Sequence, residues 1–207
     1  MKHSIFKLTE WVSRLALLNL LWIGFTLVGF VIFGFFPATV AMFSVIRQWL
    51  RGRTDLPLFR YYFQAFRAEF FKANGYGLLI MLLGLIVYAD LIFLSVNPSP
   101  NRLLFQVPLY LFLLFASLTL LYLYPVYVHY KLDFFKIIKQ AFLIMLIHPF
   151  QTIAMVLGIA TTMLVMYFIP ALIIFFSGSF TALIIMATCY HAFLKIEQKQ
   201  KKISKSA

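Results

Sequence analysis

The sequence has 207 residues, of which 63% are hydrophobic and 12% are charged, and its 18 basic and 6 acidic residues give a formal net charge of +12. Soluble domains contain about 25% charged residues, and a chain of this length cannot hide so much apolar surface from water, so the composition excludes a water-soluble globular protein. The basic residues lie in short stretches between apolar runs, which is typical of membrane topology and argues against nucleic-acid binding. The single cysteine, Cys189, excludes a disulfide framework and a CxxC redox site.

Several apolar runs reach the roughly 20 residues that a helix needs to cross the hydrocarbon core. They cover residues 15–36, 75–96, 103–130, 142–169 and 171–194. A further run, 37–50, begins at Pro37, which suits the first turn of a helix, but 14 residues span only about 21 Å. We therefore predict an all-α, polytopic transmembrane bundle of six membrane segments, the second one short. It forms a single domain over residues 1–194, followed by a basic cytoplasmic tail over 195–207.

The distribution of basic residues predicts the orientation of the chain. Six basic residues fall in 47–72, three in 131–139 and five after Leu194, whereas 97–102 has one and 170–179 has none. Basic loops stay on the cytoplasmic side, and the basic N-terminal stretch indicates that this end is inside as well. We expect a multi-pass protein of the bacterial cytoplasmic membrane with both termini cytoplasmic; five segments with the N-terminus outside is the alternative.

The stretch 57–74 is too charged to cross the membrane but has two distinct faces. At 100° per residue, its phenylalanines at 59, 63, 66 and 70 share one face, while Arg60, Gln64 and Arg67 cluster on another. This pattern predicts an interfacial amphipathic helix, with Arg51, Arg60 and Arg67 contacting anionic lipid headgroups. A helix that docks on a protein partner would show the same pattern.

A weak internal repeat is visible at an offset of 64 residues. Glu69-Phe70-Phe71-Lys72 is echoed by Asp133-Phe134-Phe135-Lys136, and the run 79–82 is echoed in the same register by 143–146. Two copies, 57–130 and 131–194, would each place two spans after a surface helix, which predicts a parallel hairpin repeat.

Three polar residues inside apolar runs are candidate intramembrane sites: Asp90, His148 and Asn19. A charge at the membrane centre costs about 2.5–3.5 kcal/mol, so such a residue faces a partner or a cavity; the alternative for Asp90 is a position near the outer interface, solvated or paired with Arg102. His148 precedes Pro149, and a structural kink there is the favoured interpretation.

A second pattern is a seam of small residues, Ala154, Gly158 and Thr162, spaced by four. It predicts close helix packing, within the chain or between two copies in a homodimer. No pair of histidines has metal-ligand spacing, and the Walker, GxSxG and HExxH motifs are absent. We therefore predict no catalytic, cofactor-binding or metal-binding residues.

A family resemblance covers nearly the whole chain, weakly after Lys139, and its most specific residues lie in the first third. The residues are Leu18-Asn19-Leu20-Leu21-Trp22, then Gly29, Phe33-Gly34 and Phe36-Pro37-Ala38-Thr39-Val40-Ala41, followed by Arg47 and the phenylalanines at 63, 66 and 70. With these residues the chain resembles the YesL-like family of bacterial integral membrane proteins, catalogued as domain of unknown function 624. Genes of this family often accompany sugar-uptake and glycan-degradation genes, so the resemblance implies a role beside carbohydrate import. It implies no binding residues.

Three functional hypotheses follow from the sequence. The first is a non-enzymatic accessory or regulatory subunit associated with a sugar-transport complex. The second is a small solute transporter or channel, formed as a dimer along the small-residue seam. The third is a membrane enzyme acting on lipid or lipid-linked sugar, which needs polar residues clustered at one interface; Asn19, Thr39, Arg47 and Arg51 are the nearest to such a cluster.

Overall fold

A computed structural model describes the backbone of residues 2–96, 102–130 and 132–206, and the side chains of 9–96, 103–130 and 132–194. These residues form seven α-helices. They are α1 (Lys2–Val28), α2 (Ile32–Leu50), α3 (Leu58–Val96), α4 (Arg102–His129), α5 (Phe134–Ile147), α6 (Pro149–Phe168) and α7 (Ala171–Ser206). Six of them are suited by length and composition to be membrane segments, so the predicted all-α class with six apolar helices of this kind is confirmed.

The predicted first span, 15–36, is wrong at its end, because α1 stops at Val28 and the chain turns before α2 begins. Phe30 and Val31 adopt φ angles of 54° and 64°, a left-handed conformation that is unfavourable for a β-branched residue. A Cβ on Gly29 would lie 2.2 Å from the Cα of Gly34, so only glycine allows the two chain segments to approach this closely. Hydropathy does not reveal the turn because all of its residues are apolar.

The predicted short segment 37–50 is also wrong at its start. Helix α2 has 19 residues, which span about 28 Å, and Pro37 lies in its interior rather than in its first turn. This helix is the centre of the fold, since it packs against α1, α3, α4 and α7. Its buried residues run almost continuously from Pro37 to Ile46.

The predicted interfacial helix 57–74 and the span 75–96 are one uninterrupted helix, α3. Its first half lies antiparallel to α2: Gln48 Nε2 donates to the Tyr61 hydroxyl at one end (3.0 Å), and Asn74 Nδ2 donates to the Phe33 carbonyl at the other (3.0 Å). No proline lies between Leu58 and Val96, so nothing removes a helical N–H at the change in polarity, although Gly75 and Gly77 there are weak helix formers.

The phenylalanine face of α3 also differs from the prediction. Phe66 is buried against Phe25 of α1 rather than turned to lipid, and Phe59 and Phe63 also contact Phe25. Phe71, on the arginine face, is 87% exposed. Helix α1 thus covers Phe66, whereas Phe59 and Phe63 remain 63% and 44% exposed, so the structure departs from the predicted face at Phe66.

The predicted span 142–169 is interrupted at His148, which ends α5 and precedes α6. The span 171–194 and the predicted tail form the single helix α7, which continues to Ser206. The lysine, glutamate and glutamine residues after 194 are good helix formers, and no glycine or proline interrupts them. Residues 97–101 of the predicted outer loop 97–102 lie outside the described residues, as does the side chain of Arg102, the alternative partner of Asp90.

The burial pattern of α4 recurs in α7 at the offset of the predicted repeat. Tyr122 and His129 are buried in α4, and the residues 64 positions later, Met186 and Phe193, are buried in α7. Both helices pack against α2. The correspondence of α3 with α5 and α6, and of α4 with α7, supports a duplicated hairpin.

Candidate functional site: polar contacts between the membrane helices

Asn19 is fully buried and joins α1 to α7. Its Oδ1 accepts hydrogen bonds from the backbone N–H groups of Gly178 and Ser179 (both 2.9 Å), and its Nδ2 donates to the carbonyl of Ile174 (2.6 Å). A Cβ on Gly178 would lie 2.8 Å from the Trp22 ring and 3.1 Å from Asn19 Oδ1. Because Gly178 has no side chain, the two helices can meet here, and the Asn19 amide makes three hydrogen bonds across the contact.

Thr39 links α1 to α2 and belongs to the stretch 36–41 of the family resemblance. Trp22 Nε1 donates to Thr39 Oγ1 (3.1 Å), and the Thr39 hydroxyl donates to the Phe35 carbonyl of its own helix (2.7 Å). The buried Tyr62 hydroxyl of α3 donates to the neighbouring Ala38 carbonyl (2.7 Å). These bonds satisfy polar groups that would be costly in an apolar interior.

His148 marks the break between α5 and α6, as its position before Pro149 predicts. The N–H and the Oγ1 of Thr152 both donate to the His148 carbonyl, at 3.1 and 3.2 Å. The Tyr122 hydroxyl lies 2.8 Å from Thr152 Oγ1, which connects the kink to α4. Hydrogen bonds from Thr152 thus stabilise the kink at His148, which agrees with the interpretation of this position as a structural kink.

Glu69 forms a contact that the sequence patterns did not single out. The Tyr127 hydroxyl donates to its carboxylate, and Tyr76 stacks on Phe134 with ring centroids 4.0 Å apart while its hydroxyl donates to the Phe134 carbonyl (3.1 Å). This cluster joins α3, α4 and α5. In the sequence, Glu69 is only the first residue of the repeated tetrapeptide, and that position indicates a duplication and no contact.

Two arginines donate to backbone carbonyls near the C-terminal end of α2. Arg47 donates to the carbonyl of His129 in the last turn of α4 (3.2 Å), where the helix dipole favours a cation. Arg14 donates to the Thr54 carbonyl (3.0 Å) and pairs with Glu10 (2.5 Å). These bonds fix the loop that follows α2 against α1.

The three predicted intramembrane residues occupy different surroundings. Asn19 is enclosed between α1 and α7, His148 lies at the kink, and Asp90 is exposed in the second half of α3. The predicted headgroup contacts Arg51, Arg60 and Arg67 are exposed as well.

The small-residue seam of α6 is divided between two surfaces. A Cβ on Gly158 would lie 2.8 Å from Ile184 of α7, and Thr162 is buried with its hydroxyl bonded to the Gly158 carbonyl (2.8 Å). Ala154 is exposed. Gly158 and Thr162 therefore pack within the chain.

Comparison with known proteins places this arrangement in a family. A family profile described as "Protein of unknown function, DUF624" matches residues 15–91. In Bacillus subtilis (strain 168), "Uncharacterized protein YesL" is 35% identical over 93% of this chain and 90% of its own length. "Uncharacterized protein YesV" is 38% identical over 91% of this chain and 90% of its own, and "Uncharacterized protein YteU" is 31% identical over 91% and 85%. No solved structure matches. The chain belongs to the YesL-like DUF624 family.

Proposed function

We propose that this protein is a non-enzymatic accessory or regulatory subunit that docks on another integral membrane protein. The observation that carries the proposal is the α3–α4 arm, defined as residues 78–96 of α3 and 103–115 of α4. Most of its large apolar side chains are exposed, and those that are more than half exposed include Leu78, Leu85, Ile86, Tyr88, Phe93, Leu103, Leu104, Phe105, Tyr110 and Leu114. The core of the chain leaves this arm uncovered.

Lipid can cover any apolar helix, so exposure of the arm does not by itself indicate a protein partner. Two further features of the arm do. Gly84 has open space around the position of a Cβ, and small residues are where membrane helices approach one another closely. Asp90 is exposed in the same arm, and a carboxylate near the membrane interior is costly without a partner. A partner helix with a cationic or hydrogen-bonding side chain fits both features.

The non-enzymatic part of the proposal is supported by the use of the buried polar groups. Asn19, Thr39 and Thr152 each make hydrogen bonds to neighbouring helices or to their own backbone. These bonds explain the polar residues as structural links. Arg51, the last member of the polar set considered for an enzyme, is exposed after the end of α2.

The partner class that the family resemblance implies is a carbohydrate-uptake complex of the bacterial cytoplasmic membrane. In this arrangement both termini face the cytoplasm, as the basic loops require. The exposed Arg51, Arg60 and Arg67 lie where they can attract anionic headgroups, each adding about 1 kcal/mol. In this proposal the α3–α4 arm contacts the partner protein, and the three exposed arginines contact the lipid headgroups.

The proposal is tested by crosslinking and capture of the tagged chain, expressed at native level, from its own membrane. We expect one integral membrane protein to copurify, and we expect Asp90→Asn to lower its recovery. Asp133→Asn is the matched control, because Asp133 is an exposed carboxylate outside the arm. Capture of no membrane protein, or equal losses in both variants, contradicts the proposal. Solute flux through liposomes containing this chain alone, abolished by Asp90→Asn, would favour the transporter instead.

A further inference from the structure

The turn between α1 and α2 is apolar throughout and faces outward. We call residues 27–33 the hairpin tip. Its six side chains larger than glycine are all hydrophobic, and each is more than half exposed: Leu27, Val28, Phe30, Val31, Ile32 and Phe33. Phe30 is 86% exposed. Loops that lie in water are built from polar residues, glycine and proline, so this composition does not fit an aqueous connection.

The backbone of the hairpin tip is hydrogen-bonded within the chain although the tip is a turn. The N–H groups of four successive residues, 29–32, donate to the carbonyls of Phe25, Leu27, Thr26 and Phe30 over 2.7–3.2 Å. The Phe33 carbonyl, which Pro37 deprives of its helical donor, accepts from Asn74 (3.0 Å). Internal satisfaction of backbone groups is what a hydrocarbon environment demands, because no water is there to bond them.

The length of the hairpin agrees with an embedded tip. Trp11 and Trp49 meet at its open end with ring centroids 5.6 Å apart. The exposed Arg51 and Arg53 follow α2 at the same end, and basic residues of this kind flank membrane segments. Each tryptophan lies 19 residues from Phe30, the centre of the tip, and 19 residues span about 28 Å. The hydrocarbon core is about 30 Å thick. The hairpin is therefore no longer than the core is thick, and any tilt would shorten its reach.

The charged residue of α3 nearest to the tip is compatible with this placement. Lys72 is exposed and lies two residues before Asn74. A lysine can bury its methylene stem in apolar surroundings while its ammonium reaches the headgroups.

From these observations we propose that the hairpin tip contacts the acyl chains of the bilayer and does not emerge into water on the far side. The α1–α2 hairpin then acts as a membrane anchor beside the crossing helices. Because both of its ends remain on one side, the orientation predicted from the basic residues is unchanged. This inference concerns the chain and its lipid, and it stands or falls separately from the accessory role proposed above.

The test uses spin-labelled single-cysteine variants of the full chain in a Cys189→Ala background, reconstituted in phosphatidylethanolamine–phosphatidylglycerol vesicles. Phe30→Cys probes the tip, and Val28→Cys probes it from a helical position in case Phe30 is needed for folding. Leu85→Cys on the α3–α4 arm is the apolar reference, and Arg53→Cys in the loop after α2 is the aqueous reference. Collision with oxygen, which dissolves in lipid, is compared with collision with a water-soluble nickel chelate.

We expect the labels at 28 and 30 to match the label at 85, with strong oxygen collision and nickel collision several-fold lower than at 53. Nickel collision at 30 equal to that at 53 would place the tip in water and overturn the inference. Weak collision with both reagents would show that protein covers the tip, which also overturns it. The capture experiment on the arm is unaffected by either result.

Discussion

Asn74 of α3 occupies the hydrogen-bonding position that Pro37 removes from Phe33. A proline in a helix cannot donate to the carbonyl four residues before it, and here that carbonyl belongs to Phe33, which accepts instead from Asn74 Nδ2 at 3.0 Å. The same amide also donates to the Phe70 carbonyl (2.9 Å). Pro37 and Asn74, which lie 37 residues apart, therefore act together: the proline frees the Phe33 carbonyl and the asparagine binds it. This bond helps to fix the antiparallel packing of α2 and α3.

Replacing Asn74 with alanine is expected to lower the free energy of unfolding by about 1 kcal/mol, because it leaves a carbonyl without its partner. In a Pro37→Ala background the same change should cost less, since the backbone of the substituted alanine can supply the missing N–H. Unfolding in mixed detergent micelles measures both differences. Equal costs in the two backgrounds would show that the bond to Phe33 does not depend on the proline.

The contact of Asn19 with α7 should be a major contributor to stability. Asn19→Leu removes three hydrogen bonds to the backbone of α7 while keeping four side-chain heavy atoms, and we expect a loss of about 2 kcal/mol. Thr161→Val is the control, because Thr161 is exposed and bonds only the Leu157 carbonyl of its own helix (2.8 Å). Thermal denaturation in detergent compares the two. A loss no larger for Asn19→Leu than for the control refutes the structural role.

Glycine substitutions should separate a packed site from an open one. Gly178→Ala places a methyl group 2.8 Å from the Trp22 ring, and overpacking of this kind costs about 1–3 kcal/mol. Gly84→Ala meets nothing within 4 Å and should stabilise α3 by about 0.5–1 kcal/mol, because alanine favours a helix over glycine. Denaturation midpoints of the two variants should move in opposite directions; movement in the same direction contradicts the packing described for Gly178.

Outside the membrane-spanning segments, the start of α5 carries a pair that can be followed by titration. A hydrogen bond from Lys136 and its positive charge hold the pKa of Asp133 below its usual range, and the same contact raises the pKa of Lys136. Lys136→Met should therefore raise the pKa of Asp133, so that the carboxylate takes up its proton at a higher pH than in the wild type. Carbon-13 NMR of a labelled aspartate side chain measures this. An unchanged titration would show that the pair does not persist in solution.

The sequence was sufficient to predict the membrane class, the six apolar segments and the kink at His148. Hydropathy and proline position report the local environment, and these features are local. The break at 29–31 was not predictable from hydropathy, because the turn contains only apolar residues and its strained conformation depends on the close approach of Gly29 and Gly34.

The roles of the polar residues depended on contacts distant in sequence. Asn19 was visible as a polar residue in an apolar run, but its partners lie more than 150 residues away. Periodicity placed Phe66 on an apolar face without showing that Phe25 of α1 would cover it. The sequence shows Glu69 only as part of the repeat, because its hydrogen bond with Tyr127 depends on the packing of α3 against α4.

The central claim, that the α3–α4 arm is a protein-docking surface while the polar residues hold the bundle together, is tested most directly by photo-crosslinking in native membranes. A photoreactive amino acid is placed at Leu85 on the arm and, in a second variant, at Leu157 of α6, which is similarly exposed. We predict a discrete protein adduct from position 85 and only lipid adducts from position 157. Lipid adducts alone from both positions would contradict the claim.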